Sequence, residues 1–337
     1  MKPIPFDLAR SVALEALARA NVPPAHALLQ ADLLLEAELR GRPSHGLLRL
    51  PRVIERIANG VTDPSATGRH AWAGNFLRVE GGGGLGPVIA VRALDVLMDK
   101  VAGGGVAVAA IRGNNHLGML AWYAERVARR DMVLIGLCNS EALVHPWAGR
   151  RAMLGTNPVT VGVPTTAGPF VMDMATSLVS MGRIHDHANQ NQPIPQGWAL
   201  DADGNPTTDP HAARLGSIAP FGGPKGYALG LAFEVLIGAL TDCALGPEVR
   251  GTLDSTEPCN KGDVFIVIDP HSTQGTGRAL ADYLEAVRLS GAPGAGVAVP
   301  GDRAAASRTE KMRDGLPVAT GIWRRLLELA GRDDHGA

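Results

Sequence analysis

Ser44-His45-Gly46 is followed at short range by Arg49 and Arg52. An imidazole titrates near neutrality and can exchange a proton with a carbonyl or hydroxyl oxygen. An arginine beside it can grip a carboxylate through two parallel hydrogen bonds. If a helix opens near Leu47, His45 lies at its mouth and Arg49 one turn in. The plainer reading of the same spacing is a Ser44 N-cap beside a surface histidine. A second imidazole, His116, stands in Arg112-Gly113-Asn114-Asn115-His116-Leu117-Gly118, after an apolar run. Reactive side chains collect at strand C-termini in α/β sheets. His116 is therefore a second acid/base or carbonyl-polarising candidate, or else a histidine satisfied by backbone at a helix start.

Three further patterns bear on ligand binding. Asp173 is a single acid inside the apolar run Phe170–Met174, which is costly unless its carboxylate accepts specific hydrogen bonds; it binds a hydroxyl-bearing ligand or caps a following helix. Lys225, one of only five lysines, sits in Gly222-Gly223-Pro224-Lys225-Gly226 ahead of an apolar helix, an arrangement that cradles anions without P-loop spacing. Gly81, Gly83 and Gly86 match the dinucleotide-binding G-x-G-x-x-G spacing. Four consecutive glycines meet that spacing almost automatically, and no acid follows the next strand, so an ordinary turn before a helix is the stronger reading. No His, Cys, Asp or Glu group has metal spacing, so no metal is expected; His185 and His187 lie in a polar loop.

These residues need a scaffold. Helical spacing runs through 6–40, broken at Val22-Pro23-Pro24, and returns from Leu47 to Ile57. Short β-like runs follow at Phe76–Val79, Val106–Ile111, Val133–Cys138, Val159–Val163, Phe170–Met172 and Val264–Asp269. Helices are predicted over 87–101, 117–130, 227–240, 277–290, 302–314 and 318–331, and a loop-rich section over 185–222. Helices first and strands with scattered helices later point to an α/β chain with an α+β-like mixed sheet. Across 337 residues, 32 basic and 33 acidic groups leave a formal charge of −1, without the positive field of a general nucleic-acid binder. The apolar runs are too short to cross a bilayer, and the N-terminus lacks a signal layout. The three cysteines match neither a disulfide framework nor a zinc set, so the expected location is the cytoplasm.

Read together and in order, the motifs resemble the malate/L-lactate dehydrogenase-like family of NAD(P)-dependent oxidoreductases. The resemblance runs through Ser44-His45-Gly46…Arg49-Leu50-Pro51, Asn114–Gly118, Asn139-Ser140, Leu154–Pro158, Asp173–Ser177, Ile194–Asp201, Gly204–Pro210, Gly222–Gly226, Val267–Pro270 and Pro300-Gly301-Asp302, nearly the whole chain. It implies a non-Rossmann nicotinamide-binding fold, with a helical domain of residues 1–72 completed by 280–337 and a cofactor domain of 73–279, usually in a homodimer. His45 would exchange the proton at the substrate oxygen beside Ser44, with His116 as the competing acid/base. Arg49, Asn115 and Thr156 would bind a small 2-oxo or 2-hydroxy acid. Ser140, Asp173, Met174, Ala175, Lys225, Gly226, Gly301, Asp302 and Arg303 would contact NAD or NADP, and the scarcity of basic residues in 185–193 favours NAD. A reductase of a cyclic ketimine carboxylate is the alternative within enzymes, and Arg183 tells against it. A binding protein without catalysis is the alternative outside them, and the intact histidine pair tells against that.

Overall fold

The computed structural model describes residues 3–270, 276–292 and 296–333. It opens with helices α1 (Phe6–Arg19), α2 (Pro24–Leu39) and, after two 3-10 turns at Pro43–His45 and Leu47–Arg49, α3 (Leu50–Ala58). Then come β1 (Arg69–Ala73), β2 (Phe76–Gly84), α4 (Gly86–Val101), β3 (Gly105–Asn114), α5 (Ala121–Ala128), β4 (Val133–Cys138), β5 (Val159–Val163) and β6 (Phe170–Met174). Helix α6 (Met181–Asn189), short strands β7 (Ala199–Leu200), β8 (Pro206–Thr207) and β9 (Ser217–Ile218), and α7 (Pro210–Ala213) form a small lobe. The chain closes through α8 (Pro224–Thr241), β10 (Gly262–Asp269), α9 (Thr276–Arg288), α10 (Asp302–Asp314) and α11 (Thr320–Ala330).

A seven-stranded sheet in the order β1-β2-β3-β10-β4-β5-β6 carries the structure. Strands β2 and β3 are parallel, and the other paired strands are antiparallel. A parallel pair needs a crossover, and α4 supplies it. The strand β10 lies at the centre and reads as an uninterrupted apolar run, Val264 to Ile268, because both its faces are covered. On one side α4 and α5 bury Leu94, Leu97, Tyr123 and Val127 against Phe265 and Val267. On the other, Ile237 of α8 packs with Leu137, Val159 and Val264. Gly136 makes room for the Phe265 ring: a Cβ there would lie 3.1 Å from it.

Helices α1, α2 and α11 share a second core of Val12, Leu17, Leu34, Leu35, Trp323 and Leu326, and the backbones of Ile4 and Leu316 exchange two hydrogen bonds. The lobe's short strands make a separate sheet, β8-β7-β9, over a third core.

Two expectations are corrected. The run Gly81–Gly84 is the end of β2, not a turn: a side chain at Gly81 would press against the Gly113 carbonyl at 2.6 Å, and the register shifts where β2 pairs with β3 between Glu80 and Gly84. The section 185–222 is loop-rich as expected, with short elements set between its turns. His185 and His187 are on α6 and not in a loop, and the side chains of Asp201 and Asp209 accept backbone amides to fold the turns at 201–205 and 209–211.

Gly86, the first residue of α4, passes directly under the 115–116 backbone. A Cβ there would overlap the His116 carbonyl oxygen and lie 2.9 Å from that of Asn115. Gly86→Ala should therefore cost about 1–3 kcal/mol, seen as a melting midpoint lowered by several degrees. It should also reduce the occupancy of the His116 position, read as a lower kcat.

Candidate active site

Two loops meet where the helical unit abuts the sheet. One is the pair of 3-10 turns holding Ser44, His45 and Arg49; the other leaves β3 at Asn114 and reaches α5 through His116. Their imidazoles stack with ring centroids 5.6 Å apart and an interplanar angle of 20°. Ser44 Oγ is 3.0 Å from His45 Nδ1, and Arg49 Nε donates to the Ser44 carbonyl at 2.8 Å. The Gly118 amide donates to His116 Nδ1 at 3.1 Å. A backbone N–H can only donate, so Nδ1 is the acceptor and neutral His116 carries its proton on Nε2.

Electrostatics holds both rings neutral. Burial, then Arg49 and Arg42, pulls His45 down to about 4. Burial, then Arg49, His45, Lys261 and Arg52, holds His116 well below its ordinary range. The Arg49 guanidinium is itself drawn down to about 10 by burial and by neighbouring Arg52.

The loop carrying His45 does not rest on a Ser44 N-cap. The carboxylate of Glu38, 3 % exposed on α2, accepts from the Leu47 amide at 2.8 Å, and the missing side chain of Gly46 leaves it room to do so. Burial lifts Glu38 to about 7, against the pull of the Leu47 amide and Lys311. Sequence reasoning passed over Glu38; its signal was an acid within the apolar stretch Leu33–Leu39. The lobe touches the same loop, since a Cβ at Gly182 of α6 would lie 3.4 Å from Ser44 Cβ.

Asn115, named above for the substrate, lines a cavity with His116 and Arg49 and also serves as a brace. Its amide donates to the Gly83 and Gly84 carbonyls at 2.7 and 2.8 Å, and its Oδ1 accepts from Arg56 Nη2 at 3.0 Å. Behind it Asn114 donates to Asp263, which forms a buried ion pair with Lys261. Neither member of that pair stood out in the sequence, because both lie in an ordinary strand entry.

Several of the residues named for the cofactor come together along one wall. Ser140 Oγ accepts from the Thr156 amide at 3.1 Å; the Thr156 carbonyl accepts from Thr176, and the Thr176 carbonyl from Phe221, which leads into Gly222–Gly226. Gly222 and Gly223 have φ of +56° and +62°, which sets exposed Lys225 at the mouth of α8. Met174 and Ala175 link this wall to β6. Asp173 Oδ2 accepts from the Ala121 amide at 2.8 Å, so it caps α5, a helix earlier in the chain and not one that follows; burial raises it to about 6.

Gly301, at φ +98°, approaches the Val171 carbonyl so closely that a Cβ would sit 3.1 Å away. It borders an open cleft of roughly 800 Å³ between β6, α5, α9 and α10. Asp302 is bound to Arg288 by two hydrogen bonds, 2.9 and 2.8 Å, and accepts from the Val299 amide, so it closes the turn at the edge of this cleft. Arg303 is exposed on α10. Among the described residues no group of three or more His, Cys, Asp or Glu could hold a metal.

With this geometry in view, comparison with known proteins is direct. Residues 4–327 match the family model of malate/L-lactate dehydrogenase. A malate/(S)-sulfolactate dehydrogenase of Methanothermus fervidus is 34% identical over 322 residues, 95% of either chain. A Delta(1)-pyrroline-2-carboxylate/Delta(1)-piperideine-2-carboxylate reductase of Pseudomonas syringae pv. tomato is 34% identical over 310 residues, 89% of this chain and 90% of the relative. The crystal structure of a dehydrogenase from Sinorhizobium meliloti superposes with a TM-score of 0.94 at 48% identity, covering 97% of this chain and 98% of that one.

The buried acid under the His45 loop has a pH signature. Folding raises the Glu38 pKa above its unfolded value of 4.5, so ionisation opposes the folded state as pH climbs from about 4.5 to 7. Glu38→Gln removes this penalty. By denaturant unfolding, the stability of the variant relative to wild type should rise by up to roughly 3 kcal/mol between pH 4.5 and 7.5.

Proposed function

The chain belongs to the malate/L-lactate dehydrogenase family and is an oxidoreductase, and from that premise we propose that it interconverts a small 2-hydroxy acid and its 2-oxo acid with a nicotinamide cofactor. The observation that carries the reading is the buried, stacked pair His45 and His116 with Arg49 at its edge. Arg49 binds the substrate carboxylate and orients the carbonyl carbon. His116, held with its proton on Nε2, donates a hydrogen bond to the substrate oxygen. His45 exchanges the proton with that oxygen, and Ser44 Oγ positions its ring.

The basicity of His45 is depressed first by burial and then by Arg49, which repels a proton. A bound carboxylate neutralises Arg49 and moves His45 back toward the range useful for acid/base work.

The residues suit a nicotinamide dinucleotide. The glycine turn before α8 offers unpaired helix amides and Lys225 to a pyrophosphate, and Gly301 leaves backbone exposed beside β6. Bound there, the cofactor supplies or accepts the hydride at C2. Five arginines line the cleft beside Gly301: Arg40, Arg126, Arg129, Arg288 and Arg308. Each already faces a carboxylate, which favours NAD over a cofactor bearing an additional phosphate. In this reading 1–72 and 280–337 make the helical domain, whose last residues, 334–337, lie outside the described ones, and 73–279 the cofactor domain. The free cysteines 138, 243 and 259 support a reducing, cytoplasmic setting, and no helix among the described residues is long and apolar enough to cross a membrane.

We also infer a homodimer. Helix α8 packs Ile237 inward yet exposes Leu229, Leu231, Val235 and Leu236, an apolar face suited to a second copy.

His45→Ala and His116→Ala should each slow reduction of 2-oxo acids by roughly a hundredfold or more, measured as absorbance loss of NADH or NADPH; an unchanged rate removes that histidine from the chemistry. A panel of 2-oxo acids and cyclic imines separates this reading from imine reduction, since only the former should consume cofactor. Val235→Arg with Leu236→Arg should halve the mass in sedimentation equilibrium while the far-ultraviolet spectrum is retained.

A further inference from the structure

We propose that the buried ion pair Lys261–Asp263 is a positioning device for His116: it anchors the loop that carries the imidazole and holds a cation beneath the ring, so that the neutral form of His116 is the one that fits. This rests on the 2-hydroxy-acid reading above and adds two positioning residues that act through His116.

The chain of contacts is short. Lys261 stands just before β10, and Asp263 is its second residue. Strand alternation puts both side chains on the face that carries Phe265 and Val267, while a side chain at Gly262 would meet Thr241 and Ile237 on the other. Lys261 Nζ is bound to Asp263 Oδ1, and Asp263 Oδ2 accepts from Asn114 Nδ2 at 3.0 Å. Asn114 ends β3, and His116 follows two residues later. Tyr123 of α5 grips the same loop further on, its hydroxyl donating to the Leu117 carbonyl at 2.7 Å. The loop is thus tied from beneath by the sheet and by a helix.

Stability alone does not account for the pair. Lys261 and Asp263 are 2 % and 0 % exposed, and Lys261 is the only buried lysine among the described residues. Withdrawing two charges from water costs about as much as their attraction returns, and well-packed apolar side chains at such positions are often as stable or more so. What apolar residues cannot supply is a charge held in place. The Gly118 amide donates to His116 Nδ1. Protonation would put a hydrogen on Nδ1 facing that N–H, and the attraction would become a repulsion. A cation under the ring opposes this protonation.

Burial comes first in keeping His116 neutral, and four cationic or basic groups add to it: Arg49 and His45 from the 3-10 turns, Lys261, and Arg52 of α3. Only Lys261 comes from the sheet. Burial opposes its charge, and Asp263 outweighs burial, so Lys261 stays protonated. The other titratable groups around the pair are Tyr123, Cys138 of β4 and Cys259. Burial raises all three, which keeps them neutral. His45 is lowered by burial and then by Arg49 and Arg42, so it serves as an internal control.

The test follows the imidazole carbon-bound proton signals of His45 and His116 by NMR across pH in the full chain, assigned with His45→Gln and His116→Gln. In wild type, His116 should stay neutral well below the ordinary histidine range. Lys261→Met removes the cation. Lys261→Met with Asp263→Asn removes both charges, leaves no charge unpaired, and keeps an oxygen to accept from Asn114. Both should raise the pH at which His116 takes up a proton and leave His45 at its wild-type midpoint. Lys261→Arg, which keeps the charge, should leave His116 as in wild type. The low-pH fall of kcat/KM should begin at a higher pH in the two Met variants than in wild type. A His116 midpoint unchanged in the double variant, with the melting midpoint retained, overturns the proposal. Equal shifts of His45 and His116 overturn it as well, since they report a wetter site and not the Lys261 charge. If Lys261→Met alone fails to fold, the double variant decides. Wild type that shows the expected titrations but reduces no 2-oxo acid overturns the 2-hydroxy-acid reading and supports the action of the pair on His116.

Discussion

Two neutral imidazoles lie face to face where a helical unit meets a sheet, and the rest of the structure serves to keep them there. Neither ring can remain buried beside Arg49 if it is charged, because desolvation and like-charge repulsion both oppose protonation. The rings belong to loops from different units, so their separation is set by how those units dock. Arg56 joins them: it leaves α3, crosses to Asn115, and through Asn115 reaches the carbonyls at the end of β2. The glycines of β2 and Gly86 allow the close approach of backbone that this bracing needs.

Buried and half-buried carboxylates are the second device. Glu38 holds the His45 loop, Asp173 the start of α5, Glu141 the 252–253 amides, and Glu234 both Asn157 and the Gly246 amide. Each satisfies amides that a loop or helix end would otherwise leave unpaired. Backbone amides lower the cost of keeping a carboxylate ionised in the interior, and for Glu38 and Asp173 burial still outweighs them. The chain therefore carries opposing acid and base penalties in its interior: histidines that resist protonation and carboxylates that resist ionisation.

Positive charge is distributed by a different rule. Around the cleft beside Gly301 the arginines are neutralised in place by Glu36, Glu125 and Asp302, which stiffens the walls. In the cavity beside His116, Arg49 and Arg52 have no such partners among the described residues. A near-zero net charge thus conceals a local excess of cations at one point.

Much of the fold was legible from residue order. The 3.6-residue pattern located α4, α8, α10 and α11 to within a few residues, and the apolar run of β10 marked a strand. The motif order led to the family, because turns and glycines at fixed offsets recur where backbone must bend. The sites of bracing were hidden. Asn115 looked like a ligand contact and Glu38 like an ordinary helix residue, since the partners that commit them, Gly83, Gly84, Arg56 and Leu47, come from other elements. The glycine run resembled a turn because its local freedom is real, and its place in β2 follows only from the proximity of β3. Residue type and spacing decide which side chains can carry the chemistry. Which of them are spent on holding the fold depends on contacts between segments far apart in the chain, and those exist only once the helices have docked on the sheet.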